Sequence, residues 1–158
     1  MRFDRSGLLW LGTHERGISK VDPEGTPFRY IADRDPQRPQ TATNYVRAVF
    51  EDDAGNLWIG AKDGLKRYQR GDNRFEYYDD LALHGIKGDL RIGDIVVYAF
   101  AQADHGRLWV ATDHGAGLFD PTHRSLSFLP QDASGAHGLA DANVRSLLEA
   151  TDGSLWFG

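Results

Sequence analysis

Four tryptophans, Trp10, Trp58, Trp109 and Trp156, punctuate the 158-residue chain at intervals of 48, 51 and 47 residues. Each stands in the same local setting. A glycine precedes it by three positions (Gly7, Gly55, Gly106, Gly153), and a leucine directly precedes it (Leu9, Leu57, Leu108, Leu155). An apolar residue follows it (Leu11, Ile59, Val110, Phe157). A valine lies twelve residues upstream of the last three, at Val46, Val97 and Val144. So many shared offsets establish an internal repeat, and periods of about 20–50 residues belong to solenoids, propellers or arrays.

The second copy shows the unit whole. Residues 44–50 are rich in β-formers, an acidic turn Glu51-Asp52-Asp53-Ala54-Gly55-Asn56 follows, and Leu57-Trp58-Ile59-Gly60 is a second short strand. After the turn at Ala61-Lys62-Asp63-Gly64, Leu65-Lys66-Arg67-Tyr68 alternates apolar and polar side chains as a half-buried strand does. The turn formers of residues 69–73 lead into a fourth strand, Arg74-Phe75-Glu76-Tyr77-Tyr78. No stretch carries a 3.6-residue apolar stripe of helical length. The chain is therefore expected to be all-β, and a four-stranded antiparallel meander at this period is the signature of a β-propeller blade.

Burial explains why such units stack. A sheet apolar on both faces must hide both, and a neighbouring copy is the nearest cover. The second-strand tryptophan is the expected wedge between blades, worth a few kcal/mol when buried. The glycine before it is the expected positive-φ turn position. All four tryptophans are read as scaffold. Residues 1–31 are expected to give strands two to four of one blade, residues 44–78 and 96–129 two whole blades, and residues 143–158 the first two strands of another. Three and a half blades make an incomplete propeller, so the expected first partners are the remaining blades of a longer parent chain.

Composition narrows the function. Lys+Arg 18 against Asp+Glu 23 gives a formal net charge of −5, without the basic footprint of a nucleic-acid binder. With no cysteine, disulfides, thiol nucleophiles and thiolate metal sites are excluded together. The longest apolar run, residues 95–101, is far short of the roughly 20 residues a membrane helix needs. Met1-Arg2-Phe3-Asp4-Arg5 leads into a turn-and-strand pattern and does not read as a signal peptide.

The unit Val46-x-x-x-Phe50-Glu51-Asp52-x-x-Gly55-x-Leu57-Trp58-Ile59-Gly60-Ala61-x-x-Gly64-Leu65-x-x-Tyr68 closely resembles the two-component regulator propeller repeat. The first copy (Asp4, Gly7, Leu9-Trp10-Leu11-Gly12-Thr13, Val21-Asp22-Pro23) and the third (Gly106, Leu108-Trp109-Val110-Ala111-Thr112, Gly117-Leu118-Phe119-Asp120) repeat the pattern. The sequence departs from it where Ala103 and Ala150 replace the turn aspartate and Ala61 the threonine. The resemblance implies a ligand-sensing propeller of a bacterial transmembrane receptor. It implies a periplasmic location, a histidine kinase or diguanylate cyclase as output, and a receptor homodimer. Membrane attachment would come only through the parent protein. A small-molecule or carbohydrate ligand is compatible with that role, but the repeat motif is scaffold and does not carry the ligand class over.

Propeller connectivity sorts the loops. Turns after the first and third strands share one face, and turns after the second strand share the other with the inter-blade connections 32–43, 79–95 and 130–142. The second face is chemically richer, carrying His14, Glu15, Lys62, Asp63, Asp113 and His114, and it is the expected ligand face. Charged turn residues are ordinarily just solvated. The six histidines show no H-x-x-x-H pair, so neither a metal site nor any other cofactor is expected, and no catalytic residue is assigned. Two enzymatic alternatives stand beside this reading. The D-x-G-x-x-W core of a sialidase-type Asp-box is present in part at Asp53 and Asp104, but Glu51 and Gln102 stand in place of its serine. A propeller lyase of the streptogramin-lyase type would need a general base, with His14 or His114 available. A protein-interaction scaffold is the non-enzymatic alternative.

Overall fold

The computed structural model describes residues 2–12, 17–22, 26–32, 45–134 and 138–158. They form successive sheets whose strands pair antiparallel and in chain order, apart from one short added strand in the third. The first contains β1 (Arg2–Phe3), β2 (Leu9–Gly12), β3 (Ile18–Asp22) and β4 (Thr26–Ile31). The second contains β5 (Val46–Glu51), β6 (Leu57–Ala61), β7 (Gly64–Gln69) and β8 (Arg74–Tyr77). A short strand from the following connection, β9 (Ala82–His84), precedes β10 (Val97–Gln102), β11 (Leu108–Thr112), β12 (Gly115–Asp120) and β13 (Ser125–Phe128). The last sheet is the pair β14 (Leu147–Glu149) and β15 (Leu155–Phe157). The architecture is an incomplete β-propeller of four-stranded antiparallel blades.

Two elements differ from the sequence reading. Arg2–Phe3 pairs with Leu9 and Trp10 as a first strand, so the first blade has all four strands and not three. The connection at residues 79–95 is largely committed to packing and is not simply a loop on one face. Its β9 pairs in parallel with β13 as a fifth strand on the outer edge of the third sheet. A 3-10 turn at Ile92–Asp94 follows. Leu81, Ile92 and Ile95 are buried, which supplies the apolar area that ties this segment down.

The core lies between consecutive sheets. Trp10 packs edge-on against Tyr68 of the second sheet, with ring centroids 6.0 Å apart. Trp58 does the same with Phe119 of the third sheet at 5.3 Å, and Trp109 with Phe157 of the fourth at 6.3 Å. Each of these three tryptophans thus leans on the next copy. All five residues of β6 are buried, as a strand covered on both sides requires.

Close approach between sheets depends on small residues two positions after the tryptophan. A Cβ on Gly12 would stand 2.7 Å from Val46 Cγ1, and one on Gly60 would stand 2.7 Å from Val97 Cγ1 and 2.8 Å from the Val97 carbonyl oxygen. The repeated valine is therefore the knob that enters the glycine gap of the preceding blade. Both valines precede a register shift, between Val46 and Ala48 and between Val97 and Ala99, so the bulge recurs with the contact. At the third step Ala111 replaces the glycine and still packs with Val144.

Candidate functional site

The turn between the first and second strands is a clamp built on aspartate. Asp52 Oδ1 accepts from the backbone N–H of Ala54 (3.0 Å) and Asn56 (2.8 Å), while Oδ2 accepts from the Trp58 indole N–H at 2.8 Å. Asp4 repeats this with Ser6, Leu8 and Trp10, the indole bond measuring 2.7 Å. Burial of Asp4 works to raise its pKa. The donated bonds from Ser6, Trp10 and Leu8 outweigh burial and hold the carboxyl below its ordinary value of 3.8. One carboxylate therefore closes the turn and anchors the inter-blade wedge. The turn glycines Gly7, Gly55, Gly106 and Gly153 all have positive φ, as expected of the hairpin position.

The third turn lacks this carboxylate, because Ala103 stands in its place. His105 there adopts φ 59°, a left-handed conformation uncommon for a side-chain-bearing residue. Among the described residues nothing accepts from the Trp109 indole, and Trp109 is only half-buried. Beside it opens a groove of about 850 Å³, lined by the third turn and by Asp53, Gln102, Trp109, Glu149 and Leu155. A smaller concavity of about 430 Å³ is lined by residues of β1, β5, β10 and β14, which places the first strands on the inner side of the stack. Trp156, whose clamp position is Ala150, is 65% exposed. The scaffold reading of the tryptophans therefore fits Trp10 and Trp58, whereas Trp109 is shared between scaffold and groove.

The residues expected on the opposite face fall as follows. His14 and Glu15 lie outside the described residues, as does His137. Lys62 and Asp63 occupy the turn between β6 and β7, and Asp113 and His114 the equivalent turn between β11 and β12. Lys62 Nζ lies 5.8 Å from the Tyr45 ring centroid, and its backbone N–H donates to the Tyr45 carbonyl. Asp113 Oδ1 accepts from the Val96 N–H and sits 2.9 Å from His114 Nδ1. The aspartate thus orients the imidazole through Nδ1. The large groove is on the other face, and its residues were legible only through the aspartate missing at Ala103. Among the described residues no group of three or more acidic or histidine side chains is gathered as a metal ion would need.

Three segments, residues 42–63, 92–114 and 138–158, match the family model of the two component regulator propeller. No curated protein matches the chain. Solved structures are similar to it over nearly its whole length. The extracellular domain of BT4673 from B. thetaiotaomicron, described as a hybrid two component system, overlays with a TM-score of 0.77 at 16% identity, covering 99% of this chain and 19% of that one. The corresponding domain of BT3049 from the same organism gives 0.69 at 20% identity, with 98% and 18% covered. Virginiamycin B lyase from Staphylococcus aureus gives 0.63 at 15% identity, with 99% and 46% covered. At these identities the likeness is one of fold, and the chain spans less than a fifth of the two component system domains. Tryptophan, turn glycine and inter-blade valine recur in register through both sequence and sheets, and three segments of the chain are similar to the two component regulator propeller repeat.

Proposed function

We propose that this segment is part of the ligand-sensing propeller of a bacterial transmembrane receptor, one that signals through a histidine kinase or a diguanylate cyclase. It binds and relays without chemistry of its own, on the periplasmic side of the membrane. The observation that carries this reading is the threefold match to the two component regulator propeller, supported by fold likeness to extracellular domains described as belonging to two component systems. Ligand engages the face bearing His14, Glu15, Lys62, Asp63, Asp113 and His114, and shifts blade packing or the arrangement of a receptor homodimer. Couplings of about 1–3 kcal/mol suffice for such a switch. In the full-length receptor, joint substitution of His14, Lys62 and His114 by alanine abolishes the response without lowering the melting temperature. An unchanged response removes this face from the mechanism.

A second reading is a propeller lyase, favoured by the Asp113–His114 pair, in which an oriented imidazole offers Nε2 as a base. The fold likeness to virginiamycin B lyase gives it context. Incubation with a streptogramin B tests it, since ring opening lost on His114→Ala supports it and an intact ring excludes it.

A further inference from the structure

The first strands of the second and third sheets, β5 and β10, each open with one residue more than the neighbouring strand can pair. Val46 pairs with Ala61 and Ala48 with Gly60, which leaves Arg47 as the extra residue. Val97 pairs with Thr112 and Ala99 with Ala111, which leaves Tyr98 in the same position. A bulge leaves its extra residue out of the ladder and re-aims its side chain. Both sides of the sheet are already taken here. Val46 fills the Gly12 gap of the first sheet, and Ala48 packs against the core between the second and third sheets. Val97 enters the Gly60 gap, and Ala99 packs beside Ala111 and Val144. Because β5 and β10 are also the inner edges of their sheets, Arg47 and Tyr98 stand where blades surround a central channel. Each of these two sheets has a neighbour on either side. Arg145, the residue after Val144, holds the same repeat position, and its guanidinium lies 5.2 Å from the Tyr98 ring centroid.

Charge is divided between the two ends of these strands. The chain has more acid than base, Asp+Glu 23 against Lys+Arg 18. On the face of the first-strand turns that acid matches the arginines: Arg5 Nη2 is 2.9 Å from Asp53 Oδ1, and Arg70 Nη2 is 3.0 Å from Glu51 Oε1. At the other end the balance reverses. Arg47 is exposed and, among the described residues, pairs with no carboxylate. Arg145 is exposed as well, and its side-chain partners are neutral, the Asn143 Oδ1 at 3.3 Å and the Tyr98 ring. Two acids of this face are engaged by backbone, Asp113 by the Val96 N–H and Asp141 by the Asn143 N–H, both at 2.9 Å. Uncompensated guanidinium groups at the mouth of a walled channel attract an anion, and their planar fork matches a carboxylate.

We propose that the channel mouth bounded by Arg47, Tyr98 and Arg145 binds the carboxylate of a small acidic ligand. Arg47 pairs with the carboxylate, and Arg145, held on the Tyr98 ring, supplies the second positive charge. The proposal rests on the reading of this face as the ligand face and adds the charge of what it takes.

Isothermal titration of the 158-residue chain with D-glucuronate and with succinate tests it. Saturable binding is expected at about millimolar concentration, as for a contact centred on one charged group. Tighter binding of D-glucuronate marks an acidic sugar and tighter binding of succinate an organic acid, and either order supports the proposal. D-glucuronamide, of similar shape but neutral, should not bind. Arg47→Gln together with Arg145→Gln, both exposed changes that should leave the melting temperature in place, should weaken binding at least about tenfold. Arg74→Gln, on the outer strand β8, should leave it unchanged. No saturable binding of either anion, an equal response to D-glucuronamide, or undiminished binding in the double variant would overturn the proposal. Such a failure, with the receptor response still lost on joint substitution of His14, Lys62 and His114, strikes the carboxylate and not the face. An unchanged receptor response strikes the face itself.

Discussion

Asp52 shows how much one side chain can organise. It accepts from two backbone N–H groups of its turn, from Asn56 Nδ2 and from the Trp58 indole, and is itself almost wholly buried. Asp52→Ala leaves the indole N–H buried without a partner, and urea unfolding should show a loss of about 2–3 kcal/mol. The converse change, Ala103→Asp, rebuilds the clamp under Trp109 and should gain about 1 kcal/mol in the same assay. Asp4 carries a pH signature as well. Its pKa is lower in the folded chain than in the unfolded one, so its contribution is fully present above the ordinary value of 3.8 and is lost as pH falls through the lowered folded value. Melting temperature measured across the acid range should therefore drop below about pH 4, and less steeply in Asp4→Asn. The clamp was half legible in the sequence. The recurring Asp, Gly and Trp marked a turn, but the indole-to-carboxylate bond is a contact that spacing alone does not show.

At the scale of the element, blade spacing is set by what two facing strands allow. The gap at Gly60 admits Val97 with no room for a methyl group, so Gly60→Ala must push the second and third sheets apart or distort the bulge after Val97. A cost of about 1–3 kcal/mol is expected from chemical denaturation, as for other overpacked contacts. Ala111→Gly, at the step where alanine is already accommodated, should cost only about 0.5–1 kcal/mol through backbone freedom. The central strands of each blade were readable because turns bound them and the copies confirm one another. The strands β1 and β9 were not. Arg2–Phe3 and Ala82–His84 are too short to show alternation, and only pairing with a neighbour makes them strands. The connection at residues 79–95 looked like a loop because its apolar residues are scattered, although Leu81, Ile92 and Ile95 are what hold it against the third blade.

For the molecule as a whole, the same two-faced sheets that stack internally leave apolar groups uncovered where stacking stops. Phe3, Leu148 and Trp156 are 59%, 64% and 65% exposed. The isolated chain should associate in a concentration-dependent way by sedimentation velocity, and Leu148→Lys with Trp156→Lys should shift it toward monomer. The candidate sites divide along the same lines. Turn residues such as Lys62 and His114 could be assigned to a face from connectivity alone. The groove could not, since its lining is gathered from turns and strands of three different sheets. The pattern of clamped and unclamped indoles gives the account its sharpest check, hydrogen exchange of the four indole N–H groups in the 158-residue chain. Slow exchange at Trp10 and Trp58 with fast exchange at Trp109 and Trp156 is the predicted result. Four indoles protected alike, or a protected Trp109 beside an exchanging Trp58, would contradict it.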